Sequence, residues 1–175
     1  MTRREAREHC FKMLFSADFY PDREEAKEQL AQYADGPEED ETDEEGHLTV
    51  LHKADLSTED AESLEKRVSA IMDRIPEIDS QIDRVAAGWK TRRMGKVELT
   101  ILRLALYEMN WDDSIPDKVA INEAVELAKK FGGKDSPAFV NGILARFAVP
   151  LKEEGAGKDN AGKEDESKAS GTPEA

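Results

Sequence analysis

Apolar residues recur at three- and four-residue intervals along most of the chain, which is the rhythm of helices packed on one face. Residues 2–19 carry Ala6, Cys10, Met13, Leu14 and Ala17 on one stripe. Thr2 followed by Glu5 fits a capping box at the start of that helix, and Pro21 breaks the pattern after it. A second, weakly periodic helix is predicted from Arg23 to Tyr33, closed by Gly36-Pro37. A third starts at Ser57 as N-cap, carries Ala61, Leu64, Val68, Ile71, Met72 and Ile75, and is predicted to stop at Pro76. Ile78, Ile82, Val85, Ala86 and Trp89 mark a fourth. Val97 to Met109 is apolar almost all round, which predicts a central helix buried by its neighbours. Beyond Pro116, Val119, Ile121, Ala124, Val125, Ala128 and Phe131 mark a sixth helix, ended by Gly132-Gly133. Ser136 as N-cap and Pro137 as first helical residue open the last one, which carries Phe139, Val140, Ile143, Leu144 and Phe147. The pattern predicts an all-α protein, a compact bundle of about seven helices with no sheet, and a core that includes Leu102, Leu106 and Ile121.

Two stretches lack this rhythm. Residues 35–47 hold eight acidic residues and no lysine or arginine, so a mobile acidic loop is expected at about 36–54. From 151 to 175 the composition turns to Gly, Lys, Glu, Asp and Ser, the make-up of a disordered acidic tail. Residues 1–150 then form the helical domain, and 38% hydrophobic content suffices for one core. A net charge of −14 argues against a polyanionic partner until the charge is located. Loop and tail account for all but three of those charges, so a local basic patch can dominate the nearly balanced body.

Composition also narrows the chemistry. The one cysteine, Cys10, cannot form an internal disulfide and sits on an apolar stripe as a small core residue. No run approaches the roughly 18 apolar residues of a membrane span, and Met-Thr-Arg-Arg does not open a signal peptide. A cytoplasmic protein with no membrane partner is expected. The histidines are His9, His47 and His52, and no Cys-x-x-Cys, His-Glu-x-x-His, Gly-x-Ser-x-Gly or phosphate-cradling glycine loop occurs. We expect no enzyme, no catalytic residue, no metal ligand and no cofactor.

The positive charge is clustered. Arg3, Arg4 and Arg7 fill the first two turns of a helix, where the macrodipole disfavours cations. That placement points to phosphate binding, or else to a solvated end paired with Glu5 and Glu8. From Arg84 to Arg103, six basic residues (Arg84, Lys90, Arg92, Arg93, Lys96, Arg103) face one acid, Glu98. Phosphate binding and a solvated inter-helix loop both fit them. Trp89 within the segment and Phe139 in the last helix's first turn fit either core packing or base stacking. Asn122 and Asn141 lie beside apolar faces as candidate buried amides, and Gly142 as a point of close helix approach.

Three of these stretches are specific together. IPDKVAINEAVELAKKFGGKDSPAFVNGILARF (Ile115–Phe147), GWKTRRMGKVELTILRLALYEM (Gly88–Met109) and the opening TRREAREHCFKMLF resemble the corresponding segments of the NusB transcription antitermination family, over residues 2–20 and 57–149. The resemblance implies two small helical subdomains and an RNA-binding factor. It implies binding of boxA-type single-stranded RNA together with NusE, a small-subunit ribosomal protein. The complex joins RNA polymerase and favours processive rRNA transcription. It carries RNA contacts onto Arg3, Arg4 and Arg7, onto Arg93 and Lys96, and onto Phe139 as the base-contacting aromatic of Phe-Val-Asn-Gly. It leaves open a homodimer that masks the RNA face. An rRNA cytosine methyltransferase accessory domain shares this fold but continues into a large α/β catalytic domain; the acidic tail after Phe147 makes the factor the expectation. The third reading, a helical protein-interaction module, would bind NusE without sensitivity to RNA.

Overall fold

The computed structural model describes residues 1–35, 39–42, 45, 48–52, 56–86, 88 and 90–154. Among these residues there are six α-helices: α1 (Arg3–Ala17), α2 (Arg23–Leu30), α3 (Thr58–Val85), α4 (Lys96–Trp111), α5 (Asp117–Phe131) and α6 (Ser136–Glu154). The body is all-α, as the periodicity predicts. The chain divides into two compact units, Met1–Met72 and Asp73–Ala175, in keeping with the two helical subdomains that the resemblance implies.

In the first unit, α1 begins with the expected capping box. Thr2 Oγ1 accepts from Glu5 N at 3.0 Å, and Glu5 Oε1 accepts from Thr2 N at 2.9 Å. Cys10, Phe11, Met13, Leu14 and Ala17 are buried with Ala26 and Leu30 of α2 and with Leu64, Val68 and Ile71 of α3. α2 is shorter than predicted, and Tyr33–Asp35 is a single 3₁₀ turn. The Tyr33 hydroxyl lies 2.8 Å from His9 Nδ1, and burial pushes its pKa above the usual phenol range. Ser57 Oγ accepts from Asp60 N at 3.1 Å, so Ser57 caps α3 as expected.

Two expectations need correcting. The first is the absence of a sheet in the acidic segment. β1 (Glu39–Thr42) and β2 (Leu48–His52) form a two-stranded antiparallel ladder, pairing Asp40 with Val50 and Thr42 with Leu48. Leu48-Thr49-Val50-Leu51 is a short run of strand formers next to the acidic residues, a signal hidden by the low apolar content around it. Apart from Glu45, in a turn, the rest of the expected loop lies outside the described residues, as do Trp89 and the tail from residue 155; α6 runs on to Glu154, four residues into the expected tail.

The second correction concerns Pro76, which does not end a helix. α3 runs through it for 28 residues, merging the predicted third and fourth helices. Proline has no N–H, so the Met72 carbonyl four residues earlier loses its intrahelical donor. The Arg23 guanidinium donates to that carbonyl instead. A proline in a helix interior persists where another donor takes over the freed carbonyl, and here α2 supplies it.

In the second unit α4 is the central element. Every residue from Leu99 to Leu106 is buried, together with Glu108 and Met109. α4 packs against both α5 and α6, which also pack on each other. Leu102 and Leu106 are fully buried as expected, whereas Ile121 is half-buried because it lies at the edge of the α5 stripe formed by Ala120, Ala124, Leu127 and Ala128. Asn122 and Asn141 are exposed rather than buried amides. Gly142 is also exposed, and a Cβ there would meet nothing within 4 Å, so close helix packing does not explain it. Gly142→Ala should therefore stabilise the protein by up to about 1 kcal/mol through helix propensity. A lower urea midpoint for this variant would show that the position is constrained after all.

Candidate nucleic-acid interface

Basic residues of each unit lie on backbone held in place by specific bonds. In the first unit, Arg3, Arg4 and Arg7 occupy the first two turns of α1; Arg3 and Arg4 are exposed and Arg7 is half-buried. Glu5 sits among them, where a helix start favours an anion. Its hydrogen bonds with Thr2 lower its pKa below the usual carboxylate range. The capping contribution is thus fully present at neutral pH and is lost as pH falls through that lowered value. The box fastens the end of α1 while Arg3 and Arg4 reach into solvent.

In the second unit, the basic segment between α3 and α4 is a built turn. Thr91–Arg93 is one 3₁₀ turn. Asp83 Oδ1 of α3 accepts from Thr91 N at 2.7 Å, and Thr91 and Met94 are buried. With those two side chains turned inward, Lys90, Arg92, Arg93 and Lys96 are exposed. Gly88 carries the chain out of α3 with φ of 81°, the left-handed region that favours glycine.

One member of the predicted basic cluster does not belong to this surface. Arg103 is buried on α4, with Nε 2.9 Å and Nη2 2.7 Å from the two oxygens of Asp79 on α3. It forms a bidentate structural pair, which corrects its grouping with the phosphate-binding candidates. Linear proximity placed it with Arg93 and Lys96, but it lies about two turns further along α4, on the buried side.

Phe139 stands in the first turn of α6 and is half-buried, so it is not a fully enclosed core residue. The predicted N-cap is shifted by one residue: the Asp135 carbonyl accepts from Phe139 N at 3.1 Å, and Ser136 is the first helical residue. The Ser136 hydroxyl is engaged elsewhere. It accepts from Gly133 N at 2.9 Å and donates to Glu98 Oε2 in the first turn of α4. Gly132 is extended rather than left-handed, so conformational freedom is not what requires glycine there. A Cβ would come 2.6 Å from Ser136 Cβ and 2.9 Å from the Ala128 carbonyl.

The Glu98–Ser136 bond joins the start of α4, which carries Lys96 just after Arg93, to the start of α6, which carries Phe139. Lys134 lies exposed in the intervening α5–α6 turn. Lys134, Ser136 and Glu98 are not among the site residues expected from the sequence. The signal for Glu98 was its isolation as the one acid in the basic segment. Among the described residues no group of three His, Cys, Asp or Glu side chains could hold a metal ion, and no helix is long and apolar enough to cross a membrane.

A family model described as the NusB family matches residues 4–149. The transcription antitermination protein NusB of Agathobacter rectalis is 46% identical over 148 residues, covering 85% of this chain and 100% of that protein. NusB of Lachnoclostridium phytofermentans is 45% identical, covering 83% of this chain and 98% of its own. A solved structure of T. maritima NusB superimposes with a TM-score of 0.64 at 30% identity, over 85% of this chain and 92% of that one. A chain in a structure titled as a plectonemic RNA supercoil aligns with a TM-score of 0.62 over 85% of this chain and 95% of that one, and at 24% identity it speaks for the fold alone.

Proposed function

The chain belongs to the NusB family, and from that premise we propose that it is a cytoplasmic transcription antitermination factor that binds boxA-type single-stranded RNA together with NusE. In this reading it has no catalytic activity and acts within an RNA polymerase complex to support processive rRNA transcription. The homodimer that the resemblance leaves open would hold the free protein in reserve.

The observation that carries the RNA-binding part is the anchored basic turn. Asp83 holds Thr91, Arg92 and Arg93 face solvent beside Lys96, and Glu98–Ser136 ties that turn to the helix start bearing Phe139. Cations on ordered backbone bind phosphates with less ordering cost than cations on a free loop. In this reading the half-buried Phe139 supplies an aromatic ring for a base to stack on. Arg3, Arg4 and Arg7 add charge at the start of α1.

The two residue types should fail differently. Arg4→Ala and Arg7→Ala should weaken boxA-like and scrambled RNA alike, and should flatten log affinity against log salt by roughly 0.7 for each phosphate no longer neutralised. Phe139→Ala should cost about 1–3 kcal/mol of RNA binding with the salt slope unchanged. Labelled RNA titrated at two salt concentrations, with and without NusE, reads both. If NusE binds with no response to RNA, and RNA affinity shows no salt dependence, the protein-interaction module replaces this reading.

A further inference from the structure

We propose that Glu98 and Ser136 are positioning residues of the RNA-binding surface, a clamp that holds the Phe139 turn against the basic start of α4. The inference rests on the RNA-binding reading above and deepens it.

Glu98 is an anomaly on electrostatic grounds. It is the one acid from Arg84 to Arg103, within one turn of Lys96 and five residues from Arg93. A carboxylate at that place repels phosphate and weakens the local positive field. Fold stability gives it some support, since an acid is favoured in a first helical turn. Any acid in that turn would serve the dipole, however, and this one is committed to a single partner. Glu98 is half-buried and accepts the hydroxyl of Ser136, 38 residues away.

Ser136 is held from two sides. Its side chain is buried at 5% exposure, receives Gly133 N–H and donates to Glu98. Gly132 is packed so closely beneath it that a Cβ would strike Ser136 Cβ and Oγ. The α5–α6 turn therefore has little freedom from Gly132 to Ser136. Phe139 follows within one helical turn, its own N–H bonded to the Asp135 carbonyl. A stacking platform fixed before the base arrives spares the ordering cost that a mobile one would incur on binding.

The clamp predicts an outcome opposite in sign to plain electrostatics. Removing a negative charge beside phosphate-binding cations should tighten RNA binding. Removing a clamp should weaken it. Full-length Glu98→Leu, Glu98→Gln, Ser136→Ala, Phe139→Ala and Ser136→Ala/Phe139→Ala would be titrated with a labelled single-stranded boxA-like RNA, with thermal unfolding followed in parallel. Ser136→Ala should weaken binding about 3–10-fold, the cost of immobilising one side-chain or loop degree of freedom. Because it acts through Phe139, the same change in the Phe139→Ala background should weaken binding less than about 2-fold. Glu98→Leu should weaken binding despite the lost charge, and Glu98→Gln, which keeps an acceptor, should stay near the unaltered protein.

Tighter binding by Glu98→Leu would overturn the inference, as would an equal loss from Ser136→Ala in both backgrounds. A lower melting temperature in Ser136→Ala with unchanged affinity would also overturn it, leaving a purely structural bond. If Arg4→Ala weakens binding while the clamp variants do not, the inference fails and the RNA-binding reading stands. If no form binds RNA, both fail together.

Discussion

Leu106→Ala is expected to destabilise the protein by about 2–5 kcal/mol, the range for deleting a large aliphatic side chain from a site that cannot collapse. Leu106 has no exposed surface, and its neighbours Leu102, Leu104 and Ala105 on α4 are buried with it. With α5 and α6 both packed on α4, the cavity would be walled by several helices rather than open to solvent. The urea midpoint should fall without a change in the slope of unfolding free energy. A loss under ~1 kcal/mol would remove α4 from the centre of the second unit.

Asp79→Ala should cost a comparable amount, about 3 kcal/mol, by a different mechanism. The Arg103 side chain is only 9% exposed, and its two nitrogens are matched to both oxygens of Asp79. Removing that carboxylate breaks the bidentate contact of a buried guanidinium, which costs more than the pair itself contributes. The double variant Asp79→Leu/Arg103→Met should recover most of the loss, because an apolar pair of similar volume avoids the desolvation of both charges. Urea unfolding of the single and double variants checks this. A single-variant loss under ~1 kcal/mol would mean that the pair behaves like an exposed one. Arg103→Met should also leave the salt dependence of RNA binding untouched, in contrast to Arg4→Ala, since its charge faces Asp79.

Local pattern was enough wherever the cause was local. The α1 capping box involves residues three apart, and Thr2 and Glu5 identify it in one dimension. The α4 core follows from apolar residues on all sides of a helix, and the burial of Cys10 from its place on a stripe. Phe139 stood out through its motif, but spacing left core and surface both open, and in the fold it is half-buried, between the two.

The features that needed the tertiary structure all depend on partners distant in sequence. Pro76 carries a helix-stop signal, and the donor that lets the helix continue is Arg23, which reaches a carbonyl 49 residues away. Arg103 has the same sequence surroundings as Arg93, but Asp79, 24 residues earlier, holds it inside. Glu98 and Ser136 each have an ordinary local reading, as a first-turn acid and an N-cap; their bond across 38 residues adds to the first and takes the place of the second. By itself the sequence determined which faces are apolar, where helices begin, and which family's motifs the chain carries, because periodicity and caps act within a turn or two. Only the tertiary structure decided which charges are buried in pairs and which remain at the surface, because the electrostatic cost of burial is set by the group that packs opposite.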